Sequence, residues 1–302
     1  MTNILSIATA VPDHAHPQAK ILDYMVKAYG LADVEARKLR FLYRHSGIDT
    51  RHSVLPDFDL DKNQTALLAP TGNDAVSLEK RMAVFQPIAL DLSVKALNKC
   101  LSGHLAPKAL THLITVSCTG MRAPGLDLEL VEALGLSKQI VRSSVNFMGC
   151  YAAVHALKWA HYICQSAAPA HVAIVCTELC TLHFQHEATE DNMASSLLFA
   201  DGSAAILLSN VLPSPSGHHL SGFYADLVFQ GKQDMAWDMG SHGFLMRLGG
   251  EVPLHIAHHL EALLTAAFQH YGLQQTDVDQ WCIHPGGKRI LDLIEKQLGL
   301  AP

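Results

Sequence analysis

The chain has 302 residues, 49% of them hydrophobic, 17% charged and a formal net charge of -6. That is enough apolar material for one large core or two fused ones. The charge is spread along the sequence, so no basic patch points to nucleic acid and no Lys/Arg run points to an anionic membrane. Seven cysteines without a CxxC pair argue against a disulfide framework or a zinc ribbon, and nineteen histidines lack the HExxH spacing of a metal site.

The opening apolar run ends at Pro12 and has no positive flank, too short for a signal peptide or a membrane span, so the expected location is the cytoplasm. Apolar, β-branched runs then recur at residues 4–8, 112–118, 140–145, 171–176, 204–208 and 281–284, separated by longer helix-like stretches. This alternation predicts an α/β fold. Several runs lack polar alternation, as strands covered on both faces by helix layers would.

Pro213-Ser214-Pro215-Ser216-Gly217 continues neither a helix nor a central strand and marks a boundary between 1–212 and 213–302. A strand-then-glycine pattern stands on each side of it, at 111–120 and 278–287, a faint sign of duplication. No GxGxxG, GxxxxGK[ST] or Gly-x-Ser-x-Gly motif appears, so nicotinamide, nucleotide and serine-hydrolase chemistry lose their best support.

Within 145–153, an apolar strand meets Gly149, then Cys150, then a helix-forming run over 151–165. A thiol at a strand-to-helix turn meets free backbone N–H groups and the positive end of the helix dipole, which would favour thiolate. A packed small residue is the ordinary reading of such a cysteine. His284, followed by Pro285-Gly286-Gly287, supplies the second member of a Cys–His pair.

Gly149-Cys150, His284-Pro285-Gly286-Gly287, Ser117-Cys118-Thr119-Gly120 with Pro124-Gly125, and Phe199-Ala200-Asp201-Gly202-Ser203 together resemble the type III polyketide synthases, the chalcone synthase superfamily. The resemblance implies a thiolase-like α/β/α/β/α layered fold of two similar halves, the second incomplete here, and a homodimer. It implies acyl-CoA and malonyl-CoA as substrates and no cofactor or metal. Cys150 would carry the acyl group and His284 would pair with its thiolate and steady the enolate. Phe199 and Phe244 would stand between CoA tunnel and acyl cavity. Cys118, Ala123 and Glu178, with Cys180 and His183, would line the cavity, and two small side chains at 118 and 123 would leave room for a long aliphatic starter and a pyrone or resorcinol product. Among Arg44, Arg51 and His52, Arg51 would hold the CoA pyrophosphate. The family carries a Gly-Asn motif and a Gly-Phe-Gly-Pro-Gly loop several tens of residues after the His-Pro-Gly-Gly turn, and the sequence stops at Pro302 before that segment, which reads as truncation of a full synthase. The alternatives are a ketoacyl synthase-like condensing enzyme and a non-catalytic protein that binds acyl thioesters.

Overall fold

The computed structural model describes residues 1–59, 67–68 and 76–300. The chain opens with β1 (Thr2–Ala10) and β2 (His14–Pro17), continues through α1 (Gln18–Ala28) and α2 (Asp33–Arg44), and returns in β3 (Thr50–Ser53) to pair with β2. A long helix, α3 (Leu78–Leu101), precedes β4 (His112–Ser117), α4 (Leu126–Ala133), β5 (Val141–Asn146), α5 (Ala152–Ser166) and β6 (His171–Leu179). Then come α6 (Glu190–Leu198), β7 (Asp201–Ser209) and the two-residue β8 (His219–Leu220).

One mixed sheet organises this part, in the order β5-β4-β6-β7-β1-β8. β4 is parallel to β5 and β6, whereas β7 is antiparallel to β6 and β1. The five apolar runs between residues 4 and 208 all fall on these strands. Alternate residues of β6 go to opposite faces. Ala173 and Val175 join the core under α3, and Val172 and Ile174 the core under α5. Burial on both faces explains why the run lacks polar alternation. α5 meets the sheet through Ala152, Ala156, Ala160 and Cys164, a stripe of small residues at helical spacing that lets the helix lie close.

β8 pairs with β1, so the sheet's last strand lies beyond the Pro213–Gly217 turn. After it, β9 (Met235–Gly240) and β10 (Gly243–Leu248) form a hairpin, and α7 (Val252–Tyr271) and α8 (Lys288–Leu298) pack on each other through Val252, Ile290, Ile294 and Leu298. The expected strand at 281–284 is corrected: these residues form no ladder. A strand needs a neighbour to hydrogen-bond, and none lies beside this run among the described residues.

Candidate active site

Cys150 lies in a single 3-10 turn, Gly149–Tyr151, that joins β5 to α5. The turn is entered through Phe147 at φ 54 and Gly149 at φ 61. A non-glycine residue with positive φ is costly and is kept where the surroundings over-determine it. Here those surroundings are aromatic: the Phe147 ring meets Phe244 edge-on at 5.3 Å. The consequence is an exposed cysteine held at a fixed place above the sheet.

The electrostatics of that place correct one expectation. The Cys150 thiol is pushed up, not down, by desolvation first and by the negative charge of Glu178 second. The sequence shows a helix N-terminus next to the thiol but cannot show the carboxylate that β6 brings beside it.

Glu178 takes hydrogen bonds from the Cys118 backbone N–H at 2.8 Å, from Thr119 Oγ1 at 2.5 Å and from Ser117 Oγ at 3.5 Å. Thr119 Oγ1 in turn accepts from the Leu179 N–H at 2.9 Å, so the ends of β4 and β6 are tied together. Despite these donors, burial dominates and pushes the Glu178 carboxyl up to about 7. Cys118, Cys150, Cys176 and Cys180 are all raised in part by this carboxylate. The group of thiols and one acid is thus a single electrostatic unit.

Beside it opens a narrow cleft of about 50 Å³ whose walls include Arg51, Cys180, His183, Phe199, Trp237 and Phe244. The hairpin β9–β10 supplies Trp237 and Phe244. Trp237 Nε1 donates to the Cys118 carbonyl at 2.6 Å, and the Phe244 N–H donates to His183 Nδ1 at 3.0 Å. His183 must therefore be protonated on Nε2, which donates to the Thr119 carbonyl at 2.7 Å. Its ring stacks on Phe244 at 4.3 Å. Desolvation lowers His183 to about 4, so it stays neutral at ordinary pH. Replacing it with leucine leaves a buried N–H and a carbonyl unpaired. That should lower stability by at least about 2 kcal/mol in urea unfolding, and no loss would show the latch to be dispensable.

The remaining expected site residues scatter. Phe199 is half-buried at the end of α6, Phe244 is fully buried on β10, and both line the cleft. Cys118 is buried, its sulfur 4.0 Å from the Gly149 carbonyl. Ala123 is exposed on the loop before α4, so its place in an enclosed cavity is corrected for the single chain. Arg51 is corrected too: it is 5% exposed and donates from Nε to Gln18 Oε1 at 2.9 Å and from Nη1 to the Phe199 carbonyl at 2.5 Å. A guanidinium committed to interior acceptors is not free for a pyrophosphate. His284 is exposed, in a turn closed by the Gly286 N–H on its carbonyl at 2.9 Å. A Cβ at Gly287 would lie 4.0 Å from Leu198, which places the turn against the last residue of α6. No hydrogen bond joins His284 to Cys150 among the described residues. Sequence reasoning missed Trp237 and Thr119; the Ser117-Cys118-Thr119-Gly120 motif carried a signal for Thr119 and none for Trp237.

Residues 1–211 match the N-terminal domain, and 222–302 the C-terminal domain, of the chalcone and stilbene synthases. The chain belongs to this family, the type III polyketide synthases. It is 28% identical to the 3,5-dihydroxyphenylacetyl-CoA synthase of Streptomyces toyocaensis, over 98% of this chain and 74% of that one. The enzyme of the same name from Amycolatopsis orientalis is 28% identical, over 100% of this chain and 78% of its own. Among solved structures, a polyketide synthase from the brown alga Ectocarpus siliculosus superposes with a TM-score of 0.86 at 26% identity, covering 99% of this chain and 81% of that one. The type III polyketide synthase domain of Dictyostelium Steely1 gives 0.86 at 27%, covering 100% and 84%. The thiolase-like α/β architecture and condensing acyltransferase chemistry of this polyketide synthase rest on these matches and on the mixed sheet between helices.

Proposed function

We propose that this type III polyketide synthase loads an acyl-CoA starter on Cys150 and extends it with malonyl-CoA. The observation that carries the reading is the strained Phe147–Gly149 turn, which presents an exposed thiol and packs its Phe147 ring on Phe244 of the cleft wall. Cys150 Sγ attacks the thioester carbonyl, and the CoA thiol leaves with a proton. Malonyl-CoA loses carbon dioxide, and the electron pair of the broken carbon–carbon bond becomes an enolate. The enolate attacks the acyl carbonyl on Cys150, forming the new carbon–carbon bond and releasing the thiolate. His284 is the group assigned to pair with that thiolate and to steady the enolate oxygen.

Glu178, Cys118, Phe199 and Phe244 shape the space into which the chain grows. A meta-dihydroxyphenyl ring is written in the names of two relatives, which favours a resorcinol-type product here, with a pyrone as the other closure. The enzyme works as a cytoplasmic homodimer in this reading; β5 is the open edge of the sheet, flanked by exposed Val141, Met121 and Met148. No helix among the described residues is long and apolar enough to cross a membrane.

Intact mass after incubation with a long-chain acyl-CoA tests the reading. A covalent adduct is expected on the wild type and none on Cys150→Ala, with carbon dioxide released when malonyl-CoA is added. An adduct that survives Cys150→Ala, or binding with no adduct at all, would leave the non-catalytic acyl-thioester protein as the better reading.

A further inference from the structure

The C-terminal end of α6 is held in an unusual way. A helix leaves its last carbonyls without intrahelical donors, and water or a backbone turn normally satisfies them. Here the donors are buried side chains from the first 51 residues. Gln18 Nε2 donates to the Leu197 carbonyl at 3.0 Å, and Arg51 Nη1 to the Phe199 carbonyl at 2.5 Å. Arg51 Nε and Gln18 Oε1 close the pair at 2.9 Å. Two tyrosines add to the same helix: Tyr29 donates to the Asn192 carbonyl at 3.0 Å, and Tyr43 lies 3.4 Å from Ser196 Oγ.

A buried arginine is an expensive way to cap a helix, because its charge must be compensated away from water. Asp201 supplies a nearby negative charge, without forming an ion pair with Arg51 among the described residues. It is 5% exposed, begins β7 two residues after Phe199, and accepts from the N–H groups of Val54 at 2.7 Å and Thr181 at 2.8 Å. Phe199 thus sits between a carbonyl gripped by Arg51 and a carboxylate that ties β3 to the cleft-lining turn Cys180–His183. A neutral residue could satisfy one carbonyl. The planar guanidinium holds its Nε and Nη1 donors in a fixed fork that meets both acceptors at once.

We propose that Arg51, with Gln18, is a positioning residue for Phe199: it fixes the backbone from which that ring reaches the cleft and so sets access of a CoA thioester to Cys150. This rests on the reading of Phe199 and Cys150 given above. The arginine touches neither substrate nor the reacting atoms; it acts through the Phe199 main chain.

Fluorine NMR of the full chain with 4-fluorophenylalanine at position 199 reads the ring directly. One narrow line is expected in the wild type, and a second or broadened line in Arg51→Lys and in Gln18→Leu. In parallel, Cys150 acylation by a long-chain acyl-CoA should fall roughly tenfold or more in Arg51→Lys. Alkylation by iodoacetamide, a reagent too small to need the gate, should stay within about twofold. An unchanged fluorine line overturns the proposal, as does a changed line with wild-type acylation while Phe199→Ala slows it. If Phe199→Ala acylates normally, or the wild type takes no acyl group, the functional reading fails and the fluorine line alone decides the clamp. Should Arg51→Lys not fold, Gln18→Leu carries the same test.

Discussion

Replacing His284 by glutamine is expected to slow acyl loading on Cys150 by about two orders of magnitude or more. It should also raise the pH at which iodoacetamide reacts with that thiol by about one unit or more. The reasoning starts from Cys150 itself, which desolvation and Glu178 both push away from the thiolate. Nothing on its own turn reverses that, since the 3-10 turn ahead of α5 supplies only N–H groups. A thiolate at neutral pH therefore needs a cation delivered from elsewhere in the chain. His284 is the histidine proposed for this, and its glycine-rich turn lies against Leu198 at the end of α6. It is exposed and makes no side-chain hydrogen bond among the described residues, so glutamine should change stability by no more than about 0.5 kcal/mol. The pH profile of alkylation, followed by intact mass, checks the idea. A profile that does not move in His284→Gln would remove the histidine from the thiol's activation.

What the sequence made legible follows from how local each signal is. The strands under α3 and α5 could be read because burial on both faces writes an unbroken apolar run. The Gly149–Cys150 turn could be read because strand, glycine and helix stand in one continuous stretch. Side-chain environment was not legible where it depends on residues far apart in the chain. The basic cluster near Arg51 looks like a surface feature in one dimension, yet β3 carries Arg51 into the core beside Gln18 and the Phe199 carbonyl. The apolar run at 281–284 has strand composition, but a strand is made by its neighbour. Trp237 reaches the Cys118 carbonyl across 119 positions of sequence, a contact that no local pattern encodes. The rise of the Cys150 thiol belongs to the same class, because Glu178 comes from another strand.

That carboxyl yields a prediction with a definite sign. Burial holds Glu178 protonated in the folded protein up to about 7, whereas its ordinary value is 4.5. The folded state therefore binds a proton that the unfolded chain releases as pH rises from about 4.5. Stability is fully retained below that value and is lost progressively up to about 7, by an amount on the order of 3 kcal/mol at most. Glu178→Gln removes the ionisation while its amide oxygen keeps the Cys118 N–H and its NH₂ faces the Thr119 and Ser117 hydroxyls, which can rotate to accept. Melting temperature in the wild type should fall by several degrees between pH 5 and pH 8, beyond any fall in the variant. The same substitution takes a negative charge away from Cys150, so iodoacetamide should react with it at lower pH than in the wild type. Equal melting curves with an unmoved alkylation profile would mean that Glu178 is already neutral, or too well solvated to matter. Glu178→Gln and His284→Gln act on one thiol with opposite signs. Their combination should therefore bring the alkylation profile back between the two, which a general loosening of the site would not do.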